Sequence, residues 1–413
     1  MFSTCVAFLG KVRKMYQPDE IILKKYADLL VKFALNSGAG VRSNEVVQLN
    51  IPDIAKPLYC ELLRAILESG AFPKLSMIAT GTDRVFFKFA SDEQLKFFPH
   101  DFKRAEADLI DHQISIIADL DPRELKDVAP SRLFMAMDSR RKFRDWLFTK
   151  EQKGKFTWTL ALYGTDAMAK EAGMSLEEYW GEIIRACYLD MPDPVKEWQK
   201  IQIEQERVKK SLNDLEIEEL FVESRDIALH VKLGKQRRWM GGNCRNIPSY
   251  ELFISPDWRG TEGRISFDQP VYRYGNILRG VTLEFKDGLV VNGHAQEGQE
   301  ILDGMLAREN ARKIGEYSLT DKRFSRISRF MANTLFDENI GGKFGNTHIA
   351  LGRAYKDSYT GDPSKPTKDQ WEAWGYNDSP EHTDIVSTED RTVTATLPGG
   401  SKKVIFKNGM FAL

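Results

Sequence analysis

The pattern of apolar segments changes near residue 219, and this change predicts a fold in two parts. Before it, short apolar runs that are typical of strands (46–50, 74–80, 113–119 and 155–164) alternate with longer helical segments. Such alternation is typical of a parallel sheet covered by helices. After it, strands and turns dominate, with one helix predicted over 297–312. We therefore predict an α/β domain over 15–218 and an α+β, strand-rich domain over 219–413.

Composition restricts the possible partners and compartment. The 413 residues include 59 Lys and Arg against 60 Asp and Glu, so neither nucleic acid nor an anionic membrane is expected as a partner. Four cysteines are scattered without a C-x-x-C pair, which indicates free thiols in a reducing, cytoplasmic compartment. No apolar run is long enough to span a membrane. Residues 1–14 are expected to be an extension, with Met15 as an alternative start.

Carboxylates and histidines recur between residues 316 and 384, in strand-like contexts. In HTDIV (382–386), His382 and Asp384 are two residues apart, so a strand places both side chains on one face. Glu316 begins the predicted strand GEYSL. With Glu338 in FDEN, these residues form a candidate shell of nitrogen and oxygen ligands for a metal ion.

The residues considered for such a site, which also include Glu251 in YELFISP, His348 in HIALG and Tyr355, have ordinary structural interpretations as well. Glu251 could face solvent from a strand, Glu316 could be a surface charge after a helix, and His348 could be a core histidine. Tyr355 could be a packed aromatic side chain. If FDEN is a strand, only one of Asp337 and Glu338 points inward. The chain lacks H-E-x-x-H and G-x-S-x-G, so neither the common zinc-protease helix nor the nucleophile elbow is present.

Four separated motifs in a fixed order resemble the thermophilic metalloprotease family of aminopeptidases, which contains aminopeptidases T and S. They are NIPSYELFISPDWRGTEG (246–263), ARKIGEYSLTD (311–321), NTLFDENIGGKFGNTHIALGRAY (333–355) and HTDIV (382–386). The resemblance implies a Rossmann-like N-terminal domain and a β-rich catalytic domain. It also implies catalytic roles for Glu316 and Tyr355, with His382 either a ligand or a support behind the ligands. The metal ligands that it implies are Glu251, Glu316, Glu338, His348, His382 and Asp384.

The function predicted on this basis is that of a metal-dependent aminopeptidase. It would remove N-terminal residues from short peptides with water activated by two divalent ions, chosen from Zn, Co, Mn and Mg. The resemblance further implies a homodimer with a cavity that excludes folded proteins. Two alternatives remain: a di-metal hydrolase of another amide or ester, and a non-catalytic protein that binds metal or peptide. We expect the DWRGTEG segment (257–263) to be an active-site loop, in which Arg259 contacts a peptide carboxylate or forms a salt bridge.

Overall fold

The computed structural model describes residues 16–242 and 244–413. The expected extension over 1–14 and the alternative start at Met15 lie outside the described residues, as does Cys5. Cys60, Cys187 and Cys244 are free thiols, as predicted. Among the described residues, no helix is long and apolar enough to cross a membrane.

The first part of the chain alternates strands and helices. Its strands are β1 (Val46–Pro52), β2 (Phe72–Ile78), β3 (His112–Ile117) and β4 (Thr157–Leu162). Its helices are α1 (Glu20–Leu29), α2 (Lys56–Glu68), α3 (Asp83–Phe89), α4 (Asp92–Lys96), α5 (His100–Leu109), α6 (Pro130–Ser139), α7 (Arg141–Gln152), α8 (Asp166–Glu171), α9 (Leu176–Ala186) and α10 (Pro194–Asn213). The alternation predicted from the sequence is confirmed, and the strands are parallel.

Local sequence signals mark where several of these helices begin. The hydroxyl of Ser91 accepts the backbone N–H of Gln94, whose side chain accepts the N–H of Ser91, and the two form a capping box. Ser175 and Glu178 form the same arrangement before α9. Helix α10 begins with Pro194, where the missing N–H of proline costs nothing.

The second part of the chain is rich in strands. They are β5 (Glu219–Glu223), β6 (Ala228–Lys232), β7 (Met240–Gly241), β8 (Asn246–Ile247), β9 (Glu251–Ile254), β10 (Thr261–Ser266), β11 (Val271–Arg273), β12 (Asn276–Leu278), β13 (Thr282–Lys286), β14 (Leu289–His294), β15 (Ile314–Thr320), β16 (Asn346–Gly352), β17 (His382–Ser387), β18 (Thr392–Thr396), β19 (Lys402–Lys407) and β20 (Met410–Phe411). Its helices are α11 (Gln299–Leu306), α12 (Thr334–Asp337) and α13 (Lys368–Ala373). Helix α11 is thus shorter than the helix predicted over 297–312.

These strands form two larger antiparallel sheets in the described part of the chain. One follows the order β14-β13-β10-β6-β5-β18-β19-β20, and the other, here called the five-stranded antiparallel sheet, follows β17-β16-β15-β9-β7. A hairpin turn at Asp287-Gly288 joins β13 to β14. A turn at Asn408-Gly409 joins β19 to β20.

The two parts are joined by a shared sheet and a shared core. Strand β8 extends the parallel sheet by pairing with β4, which gives the order β2-β1-β3-β4-β8. The ring of Trp198 in α10 stacks on that of Tyr250, with 5.2 Å between the ring centres. Such an aromatic pair adds about 0.5–1.5 kcal/mol beyond the area that it buries. The residues around β8 therefore lie where the two parts meet.

Candidate metal centre

The five-stranded antiparallel sheet brings acidic residues and histidines to one of its faces. In its register, Glu316 of β15 lies opposite Ala350 of β16, and Ala350 lies opposite Asp384 of β17. Ala350 is fully buried, and its small side chain leaves space between the two carboxylates. Since side chains alternate along a strand, His348 shares this face with Ala350.

Three donor groups come together at the centre of this face. The Nε2 atom of His348 lies 3.1 Å from Oε2 of Glu251 and 3.3 Å from Oε1 of Glu316. One ligand atom from each of these three residues lies within 4.8 Å of the other two. All three residues are buried, so their charged forms need compensation by an ion or by one another.

His382 and Asp384 lie beside this cluster, on one face of β17 as the sequence predicts. The Nε2 atom of His382 is 3.5 Å from Oδ1 of Asp384 and 3.8 Å from Oε2 of Glu316. Asp384 Oδ1 is in turn 3.9 Å from Nε2 of His348. The five residues therefore form one connected group of side chains.

Glu338 reaches the group from a different local structure than the sequence suggests. The FDEN segment is a helical turn, since α12 ends at Asp337 and Glu338 is its C-cap residue. The expectation that only one of Asp337 and Glu338 points inward from a strand is therefore wrong, because both side chains are buried. Asp337 accepts the backbone N–H groups of Met331 and Asn333 at 2.7 and 2.8 Å, whereas Glu338 accepts the amide N–H of Asn246 at 2.9 Å.

A β-bulge at Gly315 sets the position of Glu316. The register between β15 and β16 shifts between Ile314 and Glu316. A Cβ atom on Gly315 would lie 2.3 Å from the carbonyl oxygen of Arg353, which is too close for any side chain. Glycine at this position therefore allows the backbone before Glu316 to pack against Arg353, whose carbonyl oxygen accepts the Nδ1–H of His382.

The electrostatics of the group follow from burial and mutual proximity. Burial raises the pKa of Glu316 to about 7, although the hydrogen bond with His348 opposes the rise. Burial, Asp384 and Glu251 raise the pKa of Glu338 well above its usual value. Several carboxylates this close together therefore favour an added positive charge.

The neighbouring carboxylates favour the charged forms of the two histidines. Burial alone would lower the pKa of His348, but the carboxylates of Glu251 and Glu316 raise it well above its usual value. Burial also opposes the charge on His382, whereas Asp384 raises its pKa to about 9. Burial disfavours the charge on Asp384, but His382 lowers its pKa to about 2. Both imidazoles thus lie beside carboxylates, in an environment that favours a positive charge.

The residues present fit a divalent metal ion. Oε2 of Glu316 is buried and has no hydrogen-bond partner among the described residues. Buried polar atoms without partners are rare, and a missing ion is one of their known causes. Carboxylate oxygens mixed with imidazole nitrogens suit Zn, Co and Mn. The geometry therefore defines a candidate site for divalent metal.

Tyr355 lies against this group, at the end of the loop that follows β16. Its ring centre is 4.9 Å from that of His382 in an edge-to-face arrangement, and 5.8 Å from that of Phe253. Burial and then the charge of Glu316 raise the pKa of its hydroxyl well above the usual value, so the hydroxyl remains a proton donor. The cavity over the group has a volume of about 40 Å³ and is also lined by Trp158 and Arg245.

The DWRGTEG segment does not contribute to this cavity, so the expectation of an active-site loop is wrong. Arg259 forms two hydrogen bonds to the carboxylate of Asp257, at 2.8 and 2.7 Å. Both residues line a separate cavity of about 860 Å³, which Ile254 also lines. Ile254 alternates with Phe253 along β9, and Phe253 lines the smaller cavity, so the two cavities lie on opposite faces of the sheet. Of the two roles expected for Arg259, the structure shows the salt bridge.

Two further polar residues of the group were not predicted. The hydroxyl of Ser318 donates to Oε2 of Glu251 at 3.0 Å, and Asn246 binds Glu338 as described. Ser318 stands two residues after Glu316, so the alternation of GEYSL could have identified it. Asn246 belongs to the parallel sheet, and no local pattern connects it to Glu338.

The fold and the donor set define an α/β protein with a candidate divalent-metal centre on an antiparallel sheet. The sequence profile of the thermophilic metalloprotease family (M29) matches residues 19–411. The chain belongs to this family, which confirms the resemblance seen in the sequence and the prediction of a metalloprotease-type hydrolase.

Several characterised proteins are similar over nearly the whole chain. Aminopeptidase 2 of Geobacillus stearothermophilus is 27% identical over 412 residues, covering 94% of this chain and 97% of its own. Aminopeptidase PepS of Streptococcus thermophilus is 28% identical over 414 residues, covering 94% of this chain and 97% of that protein. The structure of wild-type AmpT from Thermus thermophilus superposes with a TM-score of 0.79 at 21% identity, covering 95% of this chain and 99% of that one. This last similarity concerns the fold.

Proposed function

We propose that the protein is a metal-dependent aminopeptidase that removes N-terminal residues from short peptides with two divalent ions. The observation that carries the proposal is the convergence of Glu251, Glu316 and His348, with one ligand atom of each within 4.8 Å of the others. The names of its relatives, which are aminopeptidases, support the same activity. The cavity over the group, about 40 Å³ in volume, is too small to admit a folded protein.

In this proposal the ions, chosen from Zn, Co, Mn and Mg, are held by the residues that the resemblance indicates. They are Glu251, Glu316, Glu338, His348, His382 and Asp384. Bound divalent ions supply a nucleophilic water at neutral pH and polarise the scissile carbonyl group. Asn246 orients Glu338 by donating a hydrogen bond of 2.9 Å to its carboxylate. Ser318 orients Glu251 in the same way, with a hydrogen bond of 3.0 Å.

The chain's own groups then move the protons and stabilise the transition state. Oε2 of Glu316, which lacks a partner among the described residues, accepts a proton from the attacking water and returns it to the leaving amine. The Tyr355 hydroxyl donates a hydrogen bond to the carbonyl oxygen as negative charge develops there. A tyrosine suits this role because its raised pKa keeps the proton in place.

The proposal also includes the organisation of the protein. We propose a Rossmann-like domain over 15–218, a catalytic domain over 219–413, a homodimer as the resemblance implies, and a cytoplasmic location on the basis of the free cysteines. The parallel order β2-β1-β3-β4 supports the first domain, although β8 extends that sheet from the second.

Turnover of matched substrates tests the activity. An aminoacyl-nitroanilide with a free α-amine should be hydrolysed, whereas its N-acetylated counterpart should not. Equal hydrolysis of both would indicate a hydrolase of another amide or ester. Peptide binding without turnover, in protein loaded with each of the four metals, would indicate a non-catalytic binding protein.

A further inference from the structure

The side chain of Arg245 occupies the boundary between the two parts of the molecule. It is 16% exposed, and it belongs to the short segment that leads into β8. One of its neighbours is Glu151 of α7, to which its Nε and Nη2 atoms lie 3.0 and 2.9 Å away. Another is Asp357, whose Oδ2 is 2.8 Å from Nη2. Arg245 thus connects a helix of the α/β part to the loop after β16.

That loop carries Tyr355. The short 3-10 turn Lys356–Ser358 begins directly after Tyr355, so Asp357 is only two residues away. The guanidinium group of Arg245 also lies 5.2 Å from the centre of the Tyr355 ring and 5.9 Å from that of Trp158. The same cation therefore contacts the ring of Tyr355 and the loop that holds it.

Arg245 keeps its positive charge in this environment. Burial opposes the charge, but the carboxylates of Asp357 and Glu151 hold its pKa above the usual value. Its planar group binds two carboxylates at once, which the single ammonium of a lysine does less well. The opposite flank of the loop is fixed to the same helix, because Arg353 donates to Asp145 of α7 at 3.1 Å. Helix α7 therefore holds the Tyr355 loop on both sides.

We propose that Arg245 is a positioning residue for Tyr355, holding its ring and loop against α7 so that the hydroxyl faces the metal centre. The inference rests on the proposed role of Tyr355. It assigns to the α/β part of the molecule a direct influence on the rate of the reaction. Misplacing a reacting group by about 1 Å can cost about 10²-fold in rate, so a modest shift of this loop is measurable.

A double-mutant cycle between Arg245 and Tyr355 tests the inference. Arg245→Lys keeps the positive charge but cannot bridge both carboxylates equally well. We expect kcat to fall about 10-fold or more with little change in KM. In the Tyr355→Phe background, which alone should lose about 10²–10³-fold in kcat, the same change should alter kcat by less than about twofold. Equal losses from Arg245→Lys in both backgrounds would show a general structural role and overturn the inference.

Asp357→Ala removes the carboxylate of the loop that binds Arg245, and it should reproduce the loss in kcat. Asp362→Ala is the matched control, because Asp362 follows in the same segment and its carboxylate contacts the nearby Ser364 and Lys365. A loss of kcat in Asp362→Ala equal to that in Asp357→Ala would contradict the inference. Wild-type kcat in Tyr355→Phe would overturn the role of Tyr355 itself, and this inference with it.

A spectroscopic measurement on metal-free protein reports the position of the Tyr355 ring independently of activity. With fluorotyrosine incorporated, the ¹⁹F NMR resonance that disappears in Tyr355→Phe identifies Tyr355. Arg245→Lys and Asp357→Ala should shift this resonance, and Asp362→Ala should leave it in place. An unchanged resonance in Arg245→Lys would show that the ring does not depend on Arg245.

Discussion

The Nδ1 atom of His382 lies 2.8 Å from the carbonyl oxygen of Arg353. A ring nitrogen that faces a carbonyl must carry the hydrogen, so Nε2 is left to face Glu316 and Asp384. This is how proteins orient metal-binding histidines. The same Arg353 binds α7 through its side chain, so the orientation of His382 depends on both parts of the molecule.

Replacing His382 tests this arrangement. His382→Ala should weaken metal binding by at least about 10–100-fold if the residue supports the ligands, and by more if it is a ligand. The measurement is metal retained per subunit in competition with a chelator. His230→Ala is the control, because His230 is half-exposed and contacts Glu219 and Phe221. Unchanged metal affinity in His382→Ala would remove the residue from the site.

Glu316→Gln tests the proposed proton transfer. The change keeps the size of the side chain but removes its charge and its ability to accept a proton. We expect a folded protein with kcat lower by at least about 10². Metal content then separates the roles, since retention of both ions indicates the base and loss of one indicates a ligand.

Glu309→Gln serves as its control. Glu309 is exposed and pairs with Arg141 at 3.1 Å, a type of contact worth about 0–1 kcal/mol. Its replacement should leave kcat unchanged. Near wild-type kcat in Glu316→Gln with both metals bound would require a different base.

The strand patterns predicted much of the site. His382 and Asp384 share a face because they are two residues apart in a strand, and GEYSL is the strand that carries Glu316. The position of Glu338 could not be predicted from strand patterns, because it depends on a helical turn of four residues. The prediction that these residues bind metal rested on the family resemblance.

Residues from the parallel sheet could not be predicted as neighbours of the site. Asn246 and Arg245 reach the centre because β8 pairs with β4, a contact between segments about 85 residues apart in the chain, as the bond from Thr159 to Cys244 illustrates. Nothing in the local sequence encodes this pairing, since β8 is only two residues long. The alternation of helices and strands, in contrast, depends on local periodicity and was predicted correctly.

Asp337→Asn tests the structural role of the acidic neighbour of Glu338. Asp337 accepts one backbone N–H with each carboxylate oxygen, and burial raises its pKa to about 8. An asparagine supplies one acceptor and turns an N–H group towards the second donor. We expect a loss of about 1–3 kcal/mol in the free energy of unfolding, measured by denaturant titration.

The exposed Asp369 provides the comparison for this variant, because its change to Asn should alter stability by less than about 0.5 kcal/mol. Stability equal to the wild type in Asp337→Asn would show that the segment before α12 is held by other contacts.

We propose that this group of carboxylates and histidines binds the divalent ions on which peptide hydrolysis depends. The most direct measurement is a titration of metal-free protein with Co or Zn, following bound metal per subunit and aminopeptidase activity together. We predict that chelation abolishes activity and that activity returns as binding approaches two ions per subunit. Full activity in thoroughly metal-free protein would contradict the account.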